Sequence, residues 1–137
     1  MMIMTSTRAK GQKYVKEAID IYIACGYRCW KPGNKAHFIG PGKVVSQTQD
    51  IMEAFDFLAW SEAEIHYVQV KAQESHSSEA RQKIDDLKLP SGTIRVVMMR
   101  VSKKKHTFRN WVRRFDQWSK PIDISLKQVL EERGTTP

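Results

Sequence analysis

An α/β domain, with a mixed β-sheet flanked by helices, is the fold class this sequence predicts, and three observations predict it. Tyr14, Ala18, Ile21, Tyr22 and Cys25 recur at helical spacing near the start of the chain. Two short apolar runs, Phe55–Trp60 and Ile65–Lys71, flank the polar link Ser61-Glu62-Ala63-Glu64, which has the length of a hairpin loop. Further on, Ile94, Val96, Val97, Met98 and Met99 form an apolar run without alternation, the mark of a strand buried on both faces.

The elements follow in order. A helix is expected over 9–24, with Lys13, Lys16 and Asp20 opposite the apolar stripe and Gly26 as its C-cap. Glu17 falls at the edge of that stripe, either turned towards a site beside the sheet or solvated on a charged helix. Residues 27–30 read as a short strand, and 31–49, with two prolines and three glycines, as a long loop. Its Gly40-Pro41-Gly42-Lys43 lacks the full phosphate-loop spacing and is not read as one. After the hairpin, Ser77 or Ser78 caps a helix running to about Leu89, with Ala80, Ile84 and Leu87 inward and Pro90 beyond its end. The buried strand spans 93–101. Residues 107–115 suit a strand with Arg109, Trp111 and Arg113 on one face, or a helix; the basic turn before them favours the strand. Ser125 caps a short helix over 126–133, and loose ends are expected at 1–8 and 134–137.

Composition bounds the function. The 137 residues suffice for one domain with its own core, and 41% apolar content suits a soluble globular chain. Lysine and arginine number 23 against 15 aspartates and glutamates, a net charge of +8 that favours an anionic partner, nucleic acid first. No run approaches the ~20 apolar residues of a membrane span. The start, MMIMTSTRAK, lacks the apolar segment of a signal peptide, so an intracellular protein without a membrane partner is expected. The two cysteines, Cys25 and Cys29, are too few for a disulfide framework, and no Cys/His group has zinc spacing. His37, His66, His76 and His106 are scattered along the chain.

The hairpin carries the chemistry. Asp56 stands inside the first apolar run, where a carboxylate is costly unless it is paired or binds a metal. The second run ends Gln69-Val70-Lys71, and period-2 geometry puts Gln69 and Lys71 on one face. If the strands pair, an acid, an amide oxygen and an ammonium meet at one end of a sheet. Glu17 in a first helix, Ser46 in the preceding loop, Asp56, and Gln69-Val70-Lys71 occur in that order. In this the chain resembles the PD-(D/E)xK nuclease superfamily, and within it the Holliday junction resolvases of archaeal type and their phage relatives. The likeness covers roughly residues 8 to 100 and departs from the family at Gln69, where Glu is usual.

The resemblance implies a restriction-endonuclease-like core and a magnesium-dependent DNA endonuclease, with manganese able to substitute. It assigns metal ligation to Asp56, Gln69, the Val70 carbonyl and Glu17, and catalytic roles to Ser46 and Lys71; Asp50 and Glu53, just ahead of the first run, either add to the metal site, Asp50 with the better claim, or cap and solvate the turn. Lys71 would stabilise charge developing on phosphate. It also implies a homodimer, since symmetrical paired nicks in a four-way junction call for two sites related by a two-fold axis. Lys13, Lys35, Lys43, Lys103, Lys104, Lys105 and Arg109 are the candidate DNA contacts. Three other readings stand beside this one: a repair or restriction-like nuclease of the same superfamily, a non-catalytic nucleic-acid-binding module, and a buried Asp56–Lys71 ion pair in an inactive α/β domain.

Overall fold

A computed structural model describes residues 7–32, 34–40, 43–48, 51–52, 54–72, 77–115 and 117–132; for 7–10 and 34–48 the description is of the backbone. The elements run α1 (Thr7–Ala24), β1 (Arg28–Trp30), β2 (Asn34–Gly40), β3 (Lys43–Thr48), β4 (Phe57–Trp60), β5 (Ile65–Lys71), α2 (Ser77–Asp86), β6 (Ile94–Arg100), β7 (Thr107–Arg114), β8 (Gln117–Trp118), β9 (Ile122–Ser125) and α3 (Leu126–Glu132). Seven strands form one sheet in the order β1-β4-β5-β6-β7-β8, with β9 also paired to β7. All its neighbours are antiparallel except β5 and β6, which run parallel, with α2 in the crossover between them. The fold is α/β, a mixed sheet flanked by helices.

Local chemistry sets the helix ends. Gly26 adopts φ 90°, and the N–H groups of Gly26 and Tyr27 donate to the carbonyls of Ile23 and Tyr22 at 2.9 and 3.0 Å. That double bond closes α1 in a Schellman turn, completed by the edge-to-face contact of Tyr22 and Tyr27 at 5.2 Å. The Ser125 hydroxyl accepts the Gln128 N–H at 3.2 Å and caps α3.

Two apolar layers hold the sheet. On one face Val15, Ala18, Ile21 and Tyr22 of α1 and Val129 of α3 pack on Phe57, Ala59, Val68, Val70, Val96, Met98 and Phe108. On the other, Ala80 and Ile84 of α2 pack on Ala54, Phe55, Val97, Met99 and Trp111. Strand β6 contributes alternate residues to both layers, which explains its unbroken apolar run. Asp85 anchors α2 to the far strands, accepting the Arg113 guanidinium and the Trp118 indole N–H, the latter at 3.0 Å. Among the described residues no helix is long and apolar enough to cross a membrane.

The expected long loop at 31–49 is instead a separate two-stranded ribbon, β2 paired with β3 from Asn34↔Thr48 to Gly40↔Lys43. Its apolar pairs, Phe38-Ile39 and Val44-Val45, are too short to show a period. Residues 107–114 form the strand that was favoured. The short strands β8 and β9 had no counterpart in the sequence reading, since Pro121 between them masks an apolar period of only a few residues.

Phe57 is fully buried between α1 and the sheet, edge-on to Tyr22 at 5.7 Å. Phe57→Ala should lower unfolding free energy by about 3–5 kcal/mol, read from the urea midpoint at unchanged slope.

Candidate active site

β4 and β5 pair antiparallel from Phe57↔Val68 to Trp60↔Ile65. Asp56 lies one residue ahead of β4, so its place in the ladder is opposite Gln69. Two hydrogen bonds hold it there. Its N–H donates to the Val68 carbonyl at 2.7 Å, and its Oδ2 accepts the Val70 N–H at 2.7 Å. Because N–H and C=O of a strand residue point to the same side, the Val70 carbonyl also faces the Asp56 side.

Val68 and Val70 turn into the α1 layer, so Gln69 and Lys71 turn to the α2 face. There they line a cavity of about 70 Å³ with Ala54, Ala80 and Lys83. Lys71 forms no ion pair with a described residue, and the Asp56–Lys71 pair that would make the site inert is not what the chain builds. Gln69 and Lys71 stand at the C-terminal end of β5, beside its parallel neighbour β6, the end of the strands where ligands bind in open α/β sheets. The basic turn at 102–106 leaves β6 at this same end, with Lys103, Lys104 and Lys105 exposed.

Glu17 is elsewhere. It sits in the α1 layer, where its carboxylate accepts Arg100 Nε at 3.3 Å and meets His106 Nδ1 at 2.9 Å. Arg100 also donates to the carbonyls of Val101 and Lys104, each at 2.8 Å. Glu17 therefore braces the basic turn from the face opposite Gln69 and Lys71. Lys13 is exposed on α1. Arg109 is bound to Asp123 at 2.8 and 3.4 Å, and Lys104 lies 3.7 Å from the same carboxylate. Ser46 falls in β3 opposite Ala36. Its side chain, those of Lys35, His37 and Lys43, and all of Asp50, Glu53 and His76 lie outside the described residues. Cys25 and Cys29 are free, half-buried thiols, and burial pushes Cys29 up to about 11, which removes it as a thiolate nucleophile.

For a hard cation the site offers the Asp56 carboxylate, the Gln69 amide oxygen and the Val70 carbonyl. Among the described residues no three His, Cys, Asp or Glu side chains cluster. One carboxylate with neutral oxygens fits magnesium or manganese, which keep several waters and take further oxygens from a substrate phosphate.

The far end of the hairpin holds a polar cluster that sequence reasoning missed. Buried His66 meets the Tyr22 hydroxyl through Nδ1 at 2.9 Å and Glu64 through Nε2 at 2.6 Å. Glu64 also accepts the Tyr27 hydroxyl at 2.8 Å and a two-pronged Arg114 contact at 2.8 and 3.1 Å. An ionised Glu64 only accepts, so Nε2 carries the proton and Tyr22 donates to Nδ1. Arg114 above all draws Glu64 down to about 2. Burial lowers His66 and, with help from Glu64, lifts Tyr27 to about 12. The sequence signal was Glu64-x-His66, two residues apart at a strand start and so on one face.

No family model, no curated protein and no solved structure matches this chain.

The polar cluster dictates a pH response. His66 resists protonation when folded, so its contribution is complete above about 6.5, the unfolded value, and is lost as pH falls from there through the lower folded value. Glu64 acts in the same direction lower down, its share lost between the unfolded 4.5 and about 2. Urea midpoints should therefore decline below about pH 6.5, and His66→Gln should flatten that first decline. An unchanged slope in His66→Gln would assign the response to other groups.

Proposed function

We propose that this chain is a metal-dependent, structure-selective DNA endonuclease with a restriction-endonuclease-like core, of the PD-(D/E)xK type, and that it resolves four-way junctions as a homodimer by paired symmetrical nicks. One observation carries the reading. Gln69 and Lys71 line one cavity at the end of the hairpin and Asp56 lies opposite Gln69 in the ladder, its carboxylate held by a backbone amide, while Lys71 forms no ion pair with a described residue. The order of first helix, connecting segment and hairpin supports the resolvase branch, as does the +8 charge. The basic turn at the same end of the sheet suits phosphate contacts, which read shape rather than base sequence.

Magnesium, when bound, would neutralise phosphate charge and make water a better nucleophile. The chain's own residues do the rest. Asp56 and Gln69, with the Val70 carbonyl, hold the oxygen-lined side of the site. The Val70 N–H keeps the Asp56 carboxylate aimed. Lys71 stabilises charge gathering on the phosphate oxygens from the α2 face.

A non-catalytic nucleic-acid-binding module is the second reading, and a specific observation favours it. With Glu17 bound to Arg100 and His106, the open end of the hairpin is left with Asp56 as its one carboxylate among the described residues. Another nuclease of the same superfamily, cutting a different DNA structure, differs from the resolvase only in substrate.

Asp56→Asn should lose more than about a hundredfold in magnesium-supported cleavage of a labelled four-way junction and keep its junction affinity, since a direct ligand should matter more than an outer one. Equal cutting of junction and plain duplex would remove the resolvase assignment. Binding with no nicking in magnesium or manganese would establish the non-catalytic module. Gln69→Glu should retain cleavage or change the preferred metal, because it adds a charged oxygen donor to a site short of them.

A further inference from the structure

We infer that Lys83 of α2 joins Lys71 in a subsite for one tetrahedral oxyanion, a phosphate group. The two lysines, with Gln69, line the cavity of about 70 Å³ whose remaining walls are Ala54 and Ala80. Each follows from the local structure. Lys71 ends β5 on the α2 face. Lys83 follows Ala80 by three residues, which places both on neighbouring positions of one helix face. Ala54 and Ala80 are buried and small, and their short side chains keep the cavity open between strand and helix.

The charge balance points to the ligand. Neither Lys71 nor Lys83 forms an ion pair with a described residue; Asp56, opposite Gln69, has its carboxylate on the Val70 N–H, and Glu17, Glu64, Asp85 and Asp123 are engaged by Arg100, Arg114, Arg113 and Arg109. Two ammonium-bearing side chains on the lining of one small space repel each other less when an anion lies between them. At about 70 Å³ the space suits a compact group. Six N–H donors on two ammoniums suit an acceptor-rich, multiply charged anion. As the phosphate of a cleaved strand, the ligand rests on the nuclease reading, and Lys83 then positions the phosphate that Asp56 and Lys71 act on. As an anion subsite it stands on the cavity alone. Free phosphate and a phosphodiester share the chemistry, and the test separates them.

The full chain is titrated with inorganic phosphate by calorimetry, as wild type, Lys83→Ala, Lys83→Arg and, for a lysine exposed on α1, Lys16→Ala. The same proteins are assayed for steady-state cleavage of a four-way junction. Lys83→Ala should weaken phosphate binding by about tenfold or more, Lys83→Arg should keep most of it, and Lys16→Ala should match wild type. Cleavage by Lys83→Ala should show a raised KM with a smaller change in kcat, and phosphate should compete with the junction in wild type. If the chain cuts no DNA and Lys83→Ala still loses phosphate, the nuclease reading fails and the subsite holds free phosphate. If the chain cuts DNA and Lys83→Ala matches wild type in both assays, the subsite is wrong and the nuclease reading stands. Equal loss in Lys16→Ala and Lys83→Ala would reduce the effect to general surface charge and overturn the inference.

Discussion

Strands β5 and β6 run parallel at the middle of the sheet and are covered on both faces, and the rest of the molecule answers to that. A parallel pair needs a crossover, and α2 supplies it while covering one face; α1 and α3 cover the other. Period-2 geometry then sends successive residues to opposite layers. Val68 and Val70 go to the α1 layer with Val96 and Met98. Tyr67, Gln69 and Lys71 go to the α2 side with Val97 and Met99. The same alternation that builds the core selects which polar side chains share a cavity. It brings Lys71 and Gln69 to Lys83 and leaves Glu17 on the far side.

The end of the β4–β5 ladder is a second consequence. Asp56 comes one residue before β4, and its carboxylate takes the backbone donor that the next ladder residue would otherwise have used. A half-buried carboxylate accepting an N–H at 2.7 Å loses rotational freedom. The same bond that terminates the ladder without an orphaned donor also fixes an anionic oxygen at the sheet end. Structural and chemical roles coincide in one contact there.

The two ends of the hairpin differ in how charge is treated. At the turn, Glu64, His66, Tyr22, Tyr27 and Arg114 form a closed network in which each polar group has a partner. Such a network rigidifies the turn and the end of α1. At the opposite end Lys71 and Lys83 line a cavity, and three exposed lysines sit on the adjacent turn, itself braced by Arg100 and Glu17. Among the described residues Lys71 and Lys83 have no ion-pair partner, which suits an anionic ligand that arrives with its own negative charge.

Much of this was legible in the sequence. The helical stripe ending at Gly26, the hairpin around Ser61–Glu64, the unbroken apolar run of β6, the place of Asp56 opposite Gln69 and the shared face of Gln69 and Lys71 all follow from period, turn chemistry and strand alternation, which act over a few residues. The ribbon β2–β3 and the strands β8 and β9 were not, because their apolar periods are two or three residues long and interrupted by glycine and proline; only pairing with a partner strand gives them a structure. The place of Glu17 was also beyond local reasoning. Its helical phase put it at the edge of an apolar stripe, but which face of the sheet that stripe covers is set by the crossover of α2 to the other face. Lys83 reads in the sequence as one more lysine on an exposed helix. Packing of α2 through Ala80 and Ile84 sets Lys83 on the edge of the cavity that Lys71 also lines, since a helix docked by small residues lies close to the sheet.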